Sequence, residues 1–101
     1  MDAPMLRITI VSQSPAVVVL QLEGWVAAET VEVLAEEGQG WLQRAQRLEL
    51  ELRGVKFIDE AGLALLHSWA GPRLVLRGAS AYLGTVLAAS GLEKGGNREP
   101  H

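Results

Sequence analysis

Phe57-Ile58-Asp59-Glu60-Ala61-Gly62-Leu63-Ala64-Leu65-Leu66 is the stretch in which the chain changes period. Ahead of it, Leu48-Glu49-Leu50-Glu51-Leu52-Arg53 alternates apolar and charged residues without a fault, the pattern of a strand with one buried and one wet face. Within it, from Ala61 onward, Leu63, Leu66, His67 and Ala70 recur at helical spacing until Gly71-Pro72 stops them. A strand handing over to a helix across an Asp puts Asp59 at the N-cap, where it accepts from the amide of Ala61 or Gly62. That role outweighs one as a catalytic acid. Glu60 adds a second carboxylate in the first turn, at the positive end of the helix dipole. Gly62 marks close approach by another backbone, from a neighbouring strand or a partner.

Working outward, Leu6, Ile8 and Ile10 alternate with Arg7 and Thr9, Ser12 to Pro15 read as a turn, and Ala16 to Glu23 form a second apolar segment. The expectation is an antiparallel hairpin. Val31, Leu34, Ala35, Gly38, Leu42 and Ala45 follow at helical spacing. Gly38 and Gly40 each cost that helix about 1 kcal/mol relative to alanine, which predicts an irregular C-terminal half. Arg73 to Arg77 read as a short strand, and Ser80 as the N-cap of a last helix carrying Leu83, Val86 and Leu87, with Gly91 just past its end. Trp25 falls in the loop before the first helix, at the same end of the sheet as Glu60; its indole is either an interface anchor or partly buried. Trp69 and Leu65 lie off the apolar stripe of their helix and are expected to pack on a neighbouring one. His67 reads as a partly buried helix residue.

The order strand, strand, helix, strand, helix, strand, helix requires the strands joined through helices to run parallel. The expected fold is α/β: a small mixed sheet of four to five strands with helices on one face. Residues 1–92 form the domain, and 93–101, which lose apolar character, a flexible C-terminal tail.

Composition narrows the function. A chain of 101 residues with 49% hydrophobic content supports one core. A net charge of −3 with nine scattered basic residues disfavours nucleic acid. With no cysteine there is neither a disulfide framework nor a thiolate metal site, and the two histidines, His67 and His101, lack ligand spacing. The apolar run Ala16 to Leu20 is too short to span a bilayer, and Met1 to Arg7 lack a signal-peptide pattern, so a soluble cytoplasmic protein is expected. No Walker-type loop or nucleophile elbow is found, and the reading is non-enzymatic, with no cofactor and no metal.

Asp59, two intervening residues and then Leu63 after Gly62 resemble the signature of STAS domains, the family of anti-sigma factor antagonists and of sulfate-transporter tails. Leu22-Glu23-Gly24, Leu48 to Asp59, and Ser90-Gly91-Leu92 resemble the family's Leu-x-Gly, its central strand with the following loop, and its closing turn. Ala61 to Leu66 also resemble the STAS subunits of bacterial ABC transporters that move lipids. The resemblance implies the mixed sheet above and a regulatory, protein-binding role. Its partner would be an anti-sigma factor or switch kinase, or alternatively a transporter ATPase; a homodimer is compatible with either. A third reading, a nucleotide- or small-anion-binding sensor, is opposed by the two carboxylates at the site.

In the regulatory members the residue after the Asp is a phosphorylated Ser or Thr, whereas here it is Glu60, and neither Glu60 nor Ala61 accepts a phosphate. Glu60 therefore either mimics the phosphorylated state or is simply a first-turn acid. Ala27 stands where the family often has a capping Asp, so the first helix should start less firmly. The stretch from Gly62 to Pro72 is about a helical turn shorter than usual. The implied partner-binding region comprises Trp25, Asp59, Glu60, Ala61, Gly62 and Leu63.

Overall fold

Residues 5–92 are described in a computed structural model of the chain. The alternating N-terminal segments form strands β1 (Leu6–Gln13) and β2 (Val17–Val26), joined by a turn in which Ser14 Oγ accepts from the amides of Ala16 and Val17 at 3.2 and 3.1 Å. Helix α1 (Val31–Leu42), strand β3 (Arg47–Ile58), helix α2 (Glu60–Trp69), strand β4 (Leu74–Arg77) and helix α3 (Ala81–Ala89) follow. The predicted tail, 93–101, lies outside the described residues.

The sheet has the order β1-β2-β3-β4, with β1 antiparallel to β2 and both β2–β3 and β3–β4 parallel. Because that order steps in one direction, right-handed crossovers put α1 and α2 on the same face. Burial agrees. Leu20, Leu22, Leu48, Leu50 and Leu76 from the strands are buried in one cluster with Leu34, Leu66, Leu83 and Leu87 from the three helices. Each such side chain contributes about 1.5–3 kcal/mol of transfer free energy. The other face carries charge: Arg77 pairs with Glu49 at 3.1 Å and Arg7 with Glu23 at 3.9 Å. The expected mixed sheet covered on one side is thus present, with four strands among the described residues and no fifth.

Several boundaries differ from the sequence reading. β3 does not stop ahead of Phe57 but runs to Ile58, its register against β2 shifting between Glu51 and Gly54 and again between Val55 and Phe57. These bulges break the two-residue period, so Leu52, Val55 and Ile58 are buried three apart. Trp25 consequently lies in β2, not in a loop, its amide donating to the Met5 carbonyl at 2.8 Å. α1 is regular through both glycines; Gly38 is buried where the Trp69 ring of α2 packs on it. His67 is exposed rather than partly buried, its Nε2 hydrogen-bonded to the Ser90 carbonyl at the end of α3.

The ends of the helices follow their sequences. The N-cap of α1 is Thr30 rather than Ala27, and it makes no side-chain cap bond; Thr30 Oγ1 instead donates to the Trp25 carbonyl at 2.8 Å and accepts from the Ala27 amide at 3.1 Å. Ser80 caps α3, accepting from Leu83. Gly91, at φ 88°, closes that helix: its amide donates to Ala88 at 3.0 Å, and that of Leu92 donates to Leu87 at 2.8 Å. The turn returns Leu92 to the core.

Candidate functional site

The two interior strands, β2 and β3, end side by side, and the chain leaves both at the same pole. From β3 the backbone passes through Asp59 directly into α2; from β2 it passes through residues 27–30 into α1. Asp59 holds these exits together. Its Oδ1 accepts from the Gly62 amide at 3.0 Å as the α2 N-cap, and its Oδ2 accepts from the Ala28 amide at 3.0 Å in the other loop. Its own amide donates to the Val26 carbonyl at 3.2 Å. The Gly62 amide, above all, holds the Asp59 carboxyl below its ordinary pKa; desolvation opposes this, and the amides of Ala28, Ala61 and Asp59 itself add to it. Backbone donors on both sides favour the ionised form and let the carboxylate clamp the two exits together.

Gly62 is what lets α2 start so close to the sheet. A Cβ there would overlap the Val26 carbonyl oxygen and stand 2.8 Å from Ile58 Cγ1, so the close approach read from the sequence is to the neighbouring strand. Glu60, the first residue of α2, is exposed, and among the described residues its carboxylate has no hydrogen-bond or ion-pair partner. Ala61 and Leu63 are half-buried, Leu63 packing against the core.

Trp25 is 41% exposed and stacks on Phe57, ring centroids 5.0 Å apart and planes tilted by 50°. The two are register partners across β2 and β3 on the sheet face away from the helices. Met5, 69% exposed, is joined to Trp25 by the backbone bond described above, so an apolar row of Met5, Trp25 and Phe57 crosses the sheet just before the acidic helix start. Sequence reasoning missed Phe57 and Met5. The available signal was an aromatic two residues ahead of the N-cap, where the strand read as ending just before it in fact continues. Glu29, beside Ala28, is also exposed and adds a third acid around the clamp.

Among the described residues no cluster of three or more His, Asp or Glu side chains is placed to hold a metal, and no helix is long and apolar enough to cross a membrane. A cavity of about 350 Å³ lined by residues including Pro15, Trp41 and Arg44 sits at the opposite pole, where β2 begins.

A family described as "Mlab, STAS domain" matches residues 9–95, nearly the whole described chain. The chain belongs to the STAS domain family. Solved structures that share its fold include two of SpoIIAA. The anti-sigma factor antagonist SpoIIAA in its unphosphorylated form superposes with a TM-score of 0.67 at 22% identity, covering 87% of this chain and 82% of that one. The Bacillus cell fate determinant SpoIIAA in its phosphorylated form gives 0.61 at 21% identity, covering 87% and 85%. Curated proteins offered no match. The STAS fold accounts for the parallel pair of interior strands ending beside the start of α2.

Proposed function

We propose that this STAS domain is a non-enzymatic, protein-binding regulator of the anti-sigma factor antagonist kind, docking through the end of β2 and the start of α2 and carrying a permanent charge at Glu60. The single observation that supports this best is the position of Glu60: exposed, unpaired among the described residues, and first in the helix that Asp59 caps. A phosphorylated hydroxyl there would carry about −1.5 to −2 charge near the free amides of the helix; Glu60 carries one unit continuously. The exposed Trp25 on Phe57 supplies an aromatic anchor beside it, and such residues dominate binding energy at protein interfaces. Asp59, Ala61 and Leu63 complete the surface, with Gly62 beneath it. Glu29 and Glu60 favour a partner that brings basic side chains to this pole.

A second reading, the STAS subunit of a lipid-moving ABC transporter, draws support from the family description, which names Mlab, and from the Ala61 to Leu66 run. The surface is the same in both readings and the partner differs. Affinity capture from the native cell separates them by whether a kinase-like anti-sigma factor or a transporter ATPase is retained. With that partner purified, Trp25→Ala should weaken binding about thirtyfold, the effect of losing an anchoring indole, and Glu60→Lys should weaken it further. If both variants bind like the parent, this surface is not the docking site. Glu60→Ser tests the charge itself: in the first reading it should make binding sensitive to the cognate kinase and ATP, and an unaltered affinity with no kinase response would leave Glu60 as a first-turn acid only.

A further inference from the structure

β1 is an edge strand, and among the described residues nothing pairs with its outer side. The hydrogen bond from the Trp25 amide to the Met5 carbonyl fixes which residues bond inward. In an antiparallel ladder these alternate, so Arg7 and Thr9 bond to β2, while the amides and carbonyls of Leu6, Ile8 and Ile10 point outward. The side chains of the same three residues lie on the helix-covered face, opposite Gly24, Leu22 and Leu20. Leu6 and Ile8 are only partly buried against the core and Ile10 is 42% exposed.

Edge strands are usually protected by charge, proline, brevity or a bulge. The β4 edge is four residues long. The segment Leu6-Arg7-Ile8-Thr9-Ile10 has one charge and no proline, and its bulge, between Ile10 and Ser12, lies beyond it and marks where flat pairing stops.

We propose that the β1 edge is the interface of a homodimer in which two copies pair antiparallel about a two-fold axis at Ile8, joining their sheets into one. The strand is complementary to itself in that register. Ile8 exchanges both ladder bonds with Ile8 of the second copy, and Leu6 does so with Ile10 of the second copy, so every outward amide and carbonyl of the three residues is paired. On the helix-covered face Leu6 meets Ile10 and Ile8 meets Ile8, continuing the apolar layer across the seam. On the other face Arg7 falls opposite Thr9, and the two arginines do not oppose each other. A two-fold axis at Ile10 would run the pairing into the bulge and set Ile8 against Ser12.

Sedimentation equilibrium of the full chain, over concentrations reaching millimolar, tests this with two substitutions at Thr9, an exposed residue outside the core. Thr9→Arg places a cation directly opposite Arg7 at two symmetric positions, and Thr9→Glu places an anion there. The parent should dimerise reversibly; Thr9→Arg should raise the dissociation constant about tenfold and Thr9→Glu lower it by a similar factor. Far-ultraviolet circular dichroism should be the same for all three. A parent that remains monomeric throughout, or a dimer that responds alike to both charges, overturns the proposal.

Discussion

Gly38 of α1 lies directly under the indole of Trp69 of α2, so closely that a Cβ at residue 38 would overlap the ring. The ordinary expectation for glycine inside a helix is that alanine stabilises by about 1 kcal/mol. Here the sign should reverse. Gly38→Ala forces Trp69 or the helix to move, at a cost typical of overpacking, about 1–3 kcal/mol. Urea denaturation should show that loss in the single variant, and Trp69→Leu made in the Gly38→Ala background should recover part of it. An additive double variant would mean that the two residues do not share the space.

Asp59 gives a pH signature. Its folded-state pKa is held below the ordinary value, chiefly by the Gly62 amide. For an acid with a lowered folded pKa, the contribution to stability is complete above the unfolded value of about 3.9 and disappears as pH falls through the folded value. Asp59→Asn retains one acceptor for Gly62 but turns an amide NH2 toward the Ala28 amide, donor against donor. It should cost about 1–2 kcal/mol at neutral pH and flatten the fall in stability below about pH 4. Thermal unfolding of parent and variant across that range checks both parts; parallel pH profiles would show that the clamp is not what titrates.

Gly62→Ala should be more damaging than Gly38→Ala. The added methyl meets the Val26 carbonyl and Ile58, on backbone that the parallel pairing of β2 and β3 holds in place, whereas a tryptophan can tilt. A loss of more than about 3 kcal/mol is expected, the upper end for overpacking, and measured partner affinity should fall with it because α2 would be displaced. A variant of parental stability would show that the start of α2 moves freely.

The element order, the mixed sheet and the Asp59 cap were legible because each rests on local pattern: an unbroken alternation at Leu48 to Arg53, a 3.6 period after Ala61, and a capping residue at the change of phase. What escaped depends on contacts distant in sequence. Gly38 looked like a weakness in α1 because the ring that covers it comes from residue 69. The C-terminal end of β3 was hidden because two bulges shift the phase of burial. Trp25 was recognised as a candidate anchor, yet its partner Phe57 was not, since their pairing requires β2 and β3 to extend beyond the point where alternation fails. The bond from Asp59 to Ala28, spanning 31 residues, left no trace in either local pattern.

Arg73 shows the same kind of dependence and carries the last prediction. α1 has no basic residue in its last turn, so nothing local offsets the negative end of its dipole. The guanidinium of Arg73, from the loop before β4, fills that role. It donates through Nη2 to the carbonyls of Leu42 and Ala45, the latter at 2.8 Å, and through Nε to that of Gln46 at 3.1 Å. Leu42 is the last residue of α1, its carbonyl one of those a helix end leaves free, while Ala45 and Gln46 lie in the connection that follows, and the planar fork of donors reaches all three. Arg73→Ala should therefore destabilise by about 1–3 kcal/mol although the residue is exposed, well above the ±0.5 kcal/mol expected at an ordinary surface position. Arg73→Lys, with the charge but no fork, should restore only part of the loss, and hydrogen exchange should accelerate selectively in the last turn of α1. Equal stability of the Ala and Lys variants would assign the effect to geometry alone, and full rescue by lysine would assign it to charge.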